Sequence, residues 1–339
     1  MQNRTAVLRQ VGLIELADAQ VPEPGPSEVL IEVTAVGICG SDVHYYEHGR
    51  IGQFVVREPL VLGHETAGRI VRVGSDVDGA RIGQRVALEP GVPCGDCPPC
   101  RKGRYNLCPD VLFHATPPVD GTLARYIALH AGFAHPIPDE LSDEDGAMIE
   151  PLSVGVHACW KADVSVGSRV LVTGAGPVGL LAAQVALASG ASEVVVTDVN
   201  EARLGLAQEF GARAIDVREQ PLAGLDLDAD VHLECSGAPG ALADGLRALQ
   251  PAGICVAIGM HPDGDISLPV AAIQAKELRL TGTFRYANTY PAAIALAASG
   301  KVSLAPLVSH RFSLEEAEDA LTIARRDPSA IKPMVLPGR

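Results

Sequence analysis

Apolar and polar positions follow two different textures along this chain, and the change comes near Val154. Before it, short β-type runs such as 28–35 and 66–73 are separated by clusters of Gly and Pro, which predicts an irregular, mostly β domain. After it, an apolar strand, Arg169–Thr173, meets a glycine turn, then an Ala/Leu-rich helix, then a second strand, Glu193–Asp198; this is a βαβ unit. The pattern recurs with a strand at 229–235, a helix at 241–249 and a strand at 253–259. Alternation of this kind predicts a doubly wound parallel sheet, so the chain as a whole is α/β. Two amphipathic segments follow, 290–299 and 314–325, whose docking the pattern does not assign.

A length of 339 residues suits two domains, each able to bury a core. The most apolar stretch, 176–191, is interrupted by Gln184 and falls short of the roughly 20 apolar residues that span a bilayer, so it is expected to be a buried helix. A formal net charge of -14 argues against nucleic acid or an anionic membrane as partner, since both reward clustered Lys and Arg. A small neutral substrate fits better. The N-terminal segment has no apolar core before a cleavage site, and the expected location is the cytoplasm.

Gly174, Gly176 and Gly179 fit G-x-G-x-x-G directly after a strand and at the opening of a helix that starts with Pro177 and Val178. The first glycine permits a tight turn, the second lets backbone approach a pyrophosphate, and the third lets helix pack on strand. The next strand ends at Asp198, where a carboxylate would accept from a ribose 2′-hydroxyl and repel a 2′-phosphate, which favours NAD over NADP. The alternative is an ordinary glycine turn with Asp198 on the surface. Arg203 could lie along the adenosine or cap a helix face.

Eight cysteines in such a chain read as thiols or metal ligands before disulfides. Cys94, Cys97, Cys100 and Cys108 are spaced C-x2-C-x2-C-x7-C in a loop dense in Gly and Pro, and four thiolates so close can enclose one tetrahedral zinc with no open position. Two disulfides, or a redox pair Cys97/Cys100, are the competing reading. Cys159, Cys235 and Cys255 lie in apolar contexts and read as small buried hydrophobes. Cys39, His64 and Glu65 supply a thiolate, an imidazole and a carboxylate, three competent zinc ligands that would leave a fourth position open. Taken by spacing alone, each of them is as readily a packed or locally bonded residue.

The turn Cys39-Gly40-Ser41-Asp42, the run Gly63-His64-Glu65 with Gly68, the four-cysteine lobe and the glycine turn occur in the order seen in zinc-containing medium-chain dehydrogenases, and the chain resembles that family over nearly its whole length. Further stretches, Val43-His44-Tyr45-Tyr46, Ala115-Thr116-Pro117-Pro118, Ile149-Glu150-Pro151 and Phe284-Arg285-Tyr286, are similar to the polyol-oxidising branch, the sorbitol and xylitol dehydrogenases. The resemblance implies a GroES-like, mostly β catalytic domain over 1–153, completed by 288–339, with a Rossmann coenzyme domain over 154–287 between. It implies homotetramers, NAD as coenzyme, and two zinc ions per subunit, one catalytic and one structural.

Carried over by position, Cys39, His64 and Glu65 match the catalytic zinc ligands, and Glu150 matches a carboxylate beside the metal, bound directly or through water. Alcohol dehydrogenases have a cysteine near that position. Ser41, two residues after Cys39, is a candidate to pass the hydroxyl proton on, with an ordinary turn serine as the alternative, and His44 could extend that relay or be a structural histidine. Tyr45 and Phe113 would wall the substrate pocket, with local core packing as the competing reading; Glu150, Arg285 and Tyr286 would recognise polyol hydroxyls, and Gly259, Phe284 and Arg285 would contact the coenzyme. The expected reaction is oxidation of a polyol to a ketose. The alternative within the family is another secondary alcohol, such as threonine or butanediol. A zinc-free quinone reductase shares the architecture but should lack Cys39, the His64/Glu65 pair and the cysteine lobe. A regulator that binds NAD without turnover is the reading from a different class, and an intact ligand set with Ser41 counts against it.

Overall fold

A computed structural model describes residues 2–261 and 265–339. It divides into two compact units, residues 1–150 with 304–339, and residues 151–303.

The first unit is built on a mixed, mainly antiparallel sheet of seven strands. Along it run Ala134–Pro136, Arg85–Leu88, Glu65–Val73, Glu28–Gly37, Lys332–Val335 and Val308–Phe312, with Tyr126–His130 also paired to Glu28–Gly37. The central strand reads Glu-Val-Leu-Ile-Glu-Val-Thr-Ala-Val-Gly, rich in β-branched residues, and is almost continuously buried. Gly37, its last residue, pairs with Glu65 on one side and with Met334 on the other, so the end of this strand brings the chain's early and late segments together.

The second unit holds six parallel strands: β1 (Arg169–Thr173), β2 (Glu193–Asp198), β3 (Arg213–Asp216), β4 (Ala229–Glu234), β5 (Leu249–Ala257) and β6 (Arg279–Gly282). Their spatial order is β3-β2-β1-β4-β5-β6, the order of the dinucleotide-binding doubly wound sheet. Val and Leu at every position of β1 but its ends reflect burial on both faces. The apolar stretch forms helix Pro177–Ala188, in which every residue from Gly179 to Ala186 is buried. Among the described residues no helix is long and apolar enough to cross a membrane.

The division falls at residues 150/151, where the expectation placed it at 153/154, inside helix Asp143–Lys161 at its internal Pro151. The return to the first unit also comes later than residue 288. Helix Tyr290–Ala298 stays with the second unit, because the buried Gln184 side chain grips Ser303 at both ends, accepting from its N–H at 2.7 Å and donating to its carbonyl at 3.1 Å. The segment 314–325 is three short helical pieces, Leu314–Glu316, Ala317–Thr322 and Ile323–Arg325, in place of one helix.

Candidate active site

Cys39 is the N-cap of helix Gly40–His48, and His64 and Glu65 open the strand beside the central one. Antiparallel pairing between the two strands delivers all three to one place. Their ligand atoms, one from each residue, lie within 4.8 Å of one another, with His64 and Glu65 buried and Cys39 half-buried. A soft thiolate, an imidazole and a carboxylate at such spacing suit zinc, whose bonds to S, N and O of about 2.0–2.3 Å require ligand atoms a few ångströms apart. Glu150, expected at the metal either directly or through water, is not among these three donors. It is buried, at 6 % exposure, and close enough for its charge to act on Lys332.

Two further residues fix the donors. Asp42 is 1 % exposed; its Oδ2 accepts from the Cys39 N–H at 3.0 Å, its Oδ1 accepts from the Gly63 N–H at 2.9 Å, and Oδ1 lies 3.5 Å from His64 Nδ1. Burial alone would raise the pKa of this carboxyl, but the neighbouring His64 charge and the N–H donors hold it below the usual carboxylate range. One side chain thus sets both the thiol-bearing turn and the imidazole, the outer-shell role that ligating histidines require.

Lys332 was not among the residues singled out by sequence. Its Nζ donates to both oxygens of Glu65 at 2.6 Å and to the Ile38 carbonyl at 3.0 Å, and both partners are almost wholly buried. Burial would pull this ammonium down, yet the charges of Glu65, Cys39 and Glu150 outweigh it and hold the pKa above the ordinary lysine value. Gly37 makes the pair possible. A Cβ there would sit 2.3 Å from Glu65 Oε2 and 3.3 Å from Lys332 Cδ, so the ion pair occupies the space a side chain would need.

Ser41 is half-buried in the first turn of helix Gly40–His48, and His44 stacks on His48 with ring centroids 4.4 Å apart. Phe113 lies against His64, centroid to centroid 5.9 Å. Tyr45, for which a pocket wall and local core packing were both open, is 4 % exposed within the apolar core of the first unit. Helical periodicity explains it, since Tyr45 and Tyr46 fall on the inward face of a short helix.

Cys94, Cys97, Cys100 and Cys108 form a second group with sulfurs within 4.8 Å of one another. Sulfur separations of 3.3 Å for Cys97/Cys100 and 3.5 Å for Cys94/Cys108 are far beyond a disulfide bond of about 2.05 Å. They approach the edge of about 3.8 Å of a tetrahedron with zinc–sulfur bonds of 2.3 Å. Backbone N–H groups of Cys97 and Asp96 pull the Cys94 thiol down to about 7.

In the second unit the glycine turn behaves as its spacing predicts. Gly174 has φ of 92° and its missing Cβ faces Ser236 backbone at 2.8 Å; a Cβ on Gly179 would lie 1.9 Å from the Gly174 carbonyl. Nothing lies within 4 Å of where a Cβ on Gly176 would be, so its backbone faces open space above helix Pro177–Ala188. A cavity of about 580 Å³ opens there, lined by Gly174, Gly176, Asp198, Arg203 and Ser236. Asp198 Oδ2 accepts from Ala175 N–H at 2.6 Å and Oδ1 from Val199 and Asn200 N–H, which ties the end of β2 to the glycine turn. The Arg203 N–H is capped by Asn200 while its side chain lines the cavity.

Gly259 follows β5, and Phe284, Arg285 and Tyr286 follow β6. Arg285 and Asn288 both have positive φ, 56° and 61°, and strained backbone of this kind clusters where a ligand is held. The Arg285 guanidinium carbon stands 4.8 Å from the centroid of the half-exposed Phe284 ring, while Tyr286 is buried against Tyr290.

Known proteins resemble the chain in both units. Residues 25–139 match the model of the alcohol dehydrogenase GroES-like domain and residues 177–299 that of the zinc-binding dehydrogenases. The chain is 44 % identical to the sorbitol dehydrogenase of Gallus gallus over 96 % of its own length and 94 % of that protein, and 45 % identical to that of Bacillus subtilis (strain 168) over 99 % and 98 %. The structure of L-idonate 5-dehydrogenase from Escherichia coli superposes with a TM-score of 0.91 at 30 % identity, covering 99 % of this chain and 98 % of that one. With relatives this similar along nearly all of its length, the chain belongs to the zinc-containing medium-chain dehydrogenase family.

Proposed function

We propose that this protein oxidises a polyol of the sorbitol, xylitol or galactitol type to a ketose, with NAD as hydride acceptor, one catalytic zinc at Cys39, His64 and Glu65, and one structural zinc at Cys94, Cys97, Cys100 and Cys108. The observation that carries it is the three-donor cluster, oriented by Asp42 and Lys332, in a chain whose curated relatives are sorbitol dehydrogenases. When bound, zinc supplies the Lewis acidity that lowers a hydroxyl pKa toward neutrality, and NAD supplies the hydride acceptor.

The chain's own residues do the rest. Cys39, Glu65 and Glu150 bring negative charge towards a divalent ion and the buried Lys332, while the Asp42 carboxylate is held by His64 and two backbone N–H groups. Because Lys332 holds both oxygens of Glu65, that carboxylate is shared between lysine and metal and is a weaker donor than a free one. Glu150, lying outside the donor set, fits the through-water role. Ser41 takes the proton lost by the hydroxyl, and His44, half-buried one turn further along the helix, can carry it on. Phe113 walls His64. In the second unit, Arg285 and Tyr286 are assigned to hydroxyl recognition, with strong rejection of substrates lacking the hydroxyls as the consequence. The glycine turn, Pro177 and Val178 present the helix N-terminus to the pyrophosphate, Asp198 accepts from the adenosine ribose, and Arg203, Gly259 and Phe284 complete the coenzyme contacts.

Self-association as a homotetramer is supported by β6, which is the last strand of its sheet, and by helix Val270–Ala275, which has no buried residue; Val270, Leu280 and Phe284 expose apolar surface there. Eight cysteines without a disulfide suit the reducing cytoplasm. The test of the whole reading is zinc per subunit by elemental analysis beside NAD reduction across sorbitol, xylitol, galactitol, threonine and butanediol. Two zinc ions with polyol turnover support it, whereas activity confined to threonine or butanediol would shift the assignment to another secondary alcohol. Cys39→Ser should lose one zinc and the activity together.

A further inference from the structure

Glu234 ends β4 at 0 % exposure, a carboxylate wholly inside the coenzyme-binding unit, and no metal site accounts for it among the described residues. Burying a charge is costly unless donors converge on it, so an interior carboxylate implies a specific arrangement. Three donors reach Oε1: the Ser236 N–H at 2.8 Å, the Ser236 hydroxyl at 2.5 Å and the Gly237 N–H at 3.0 Å. The backbone carbonyl of the same residue accepts from Ile258 and Gly259, both at 2.8 Å. One residue therefore binds two loops at once, the one after β4 and the one after β5. Oε2 makes no hydrogen bond among the described residues, and His261 Nε2 lies 3.1 Å from it without the alignment of one.

The two loops meet through glycines. A Cβ on Gly237 would lie 2.3 Å from the Met260 carbonyl, and one on Gly259 would lie 2.3 Å from the Gly237 nitrogen and 2.9 Å from Glu234 Oε2. On its other side the first loop touches the glycine turn, since Gly174 faces the Ser236 backbone at 2.8 Å. Cys235, Ser236 and Ala238 of that loop line the 580 Å³ cavity opposite Asp198. Moving Ser236 would therefore change the width of the cleft directly.

We infer that Glu234 is a positioning residue for the coenzyme: its buried carboxylate holds the loop after β4 at the setting that admits the dinucleotide. The inference rests on the proposed coenzyme site and adds a residue that does not itself line the cavity. A neutral amide at this position keeps the shape but weakens three bonds to a charged acceptor, and the effect falls on binding of the dinucleotide rather than on the zinc half of the chemistry.

The experiment is titration of NADH against the zinc-loaded protein, followed by NADH fluorescence, for wild type, Glu234→Gln and Ser236→Ala. Glu234→Gln is expected to raise the NADH dissociation constant by on the order of tenfold, about the worth of one charge-assisted hydrogen bond. Its polyol KM at saturating NAD and its zinc content should stay within twofold of wild type. Ser236→Ala, which removes the hydroxyl that donates to Glu234 Oε1 and leaves both backbone donors in place, should raise the same constant about threefold. Wild-type NADH affinity in Glu234→Gln overturns the inference. Should that variant not fold, wild-type affinity in Ser236→Ala overturns it instead. A wild-type protein that binds no NADH would sink the coenzyme reading itself, and the inference with it.

Discussion

Replacing Lys332 by Met removes the ammonium while keeping most of the stem's volume, and it isolates the electrostatics of the metal site. The lysine and Glu65 are 3 % and 2 % exposed and bonded at 2.6 Å through both carboxylate oxygens. Removing one partner of a buried pair costs about 3–5 kcal/mol, because the other charge is left without compensation. In a unit of this size each kcal/mol lowers the melting temperature by roughly 2–4 °C, so metal-free Lys332→Met should melt about 6–20 °C below wild type. With zinc bound the sign of the local effect reverses, since Glu65 is released to give its full charge to the ion. The gap between zinc-loaded and metal-free melting temperatures should therefore widen, by linkage between folding and binding. Differential scanning calorimetry with and without a chelator, together with competition for zinc against a colorimetric chelator, reads both quantities. A metal-free variant melting within about 2 °C of wild type, less than one kcal/mol would produce, or an unchanged gap, would refute the shared-carboxylate argument.

Asp198→Ala should lower kcat/KM for NAD by about 10–100-fold and raise the NADP/NAD ratio, because it removes the ribose acceptor and the anchor on Ala175 together; an unchanged ratio in steady-state kinetics would count against the assignment. Cys97→Ser should lose one zinc and destabilise the protein while the remaining zinc and the residual kcat persist, so a variant of full stability carrying two zinc ions contradicts a closed structural site. His232, wholly buried between Thr173 and Cys255, is pushed down to about 3 by burial. Below pH 6.5 the unfolded chain takes a proton that the fold refuses, so stability is lost as pH falls from 6.5 towards 3, by about 2 kcal/mol at pH 5. Urea titrations at pH 7.5 and 5 should show that loss shrinking in His232→Leu.

Much of this was legible in the sequence wherever a short stretch of chain sets its own structure. Strands Arg169–Thr173 and Glu193–Asp198 coincide with their apolar runs, and Gly174 and Gly179 make the tight turn and the close packing that their spacing assigns. Residues whose roles depend on distant pairing were not legible. Lys332 heads a short strand of otherwise apolar residues, and nothing nearby hints that its partner is Glu65. Glu234 likewise looks like the polar end of a strand until the two loops are brought over it. Asp42 did carry a signal, the third residue after an N-cap with an acidic side chain, but the helix is short and the motif was read only as part of the cysteine turn. For Tyr45, proximity in sequence to a ligand does not decide which face of a helix a side chain takes.

The pairing of Glu65 with Lys332 spans 267 positions. During synthesis the early strand carrying His64 and Glu65 emerges and can pair with Glu28–Gly37 long before its lysine exists. Until strand Lys332–Val335 arrives beside Gly37, Glu65 has no buried cation and the incipient sheet has an open edge. Late docking of one short strand would thus turn a free chelating carboxylate into one shared with a lysine. The three donors are present in the chain long before the residue that tempers one of them, so the last strand to dock sets the strength of the metal site rather than its existence.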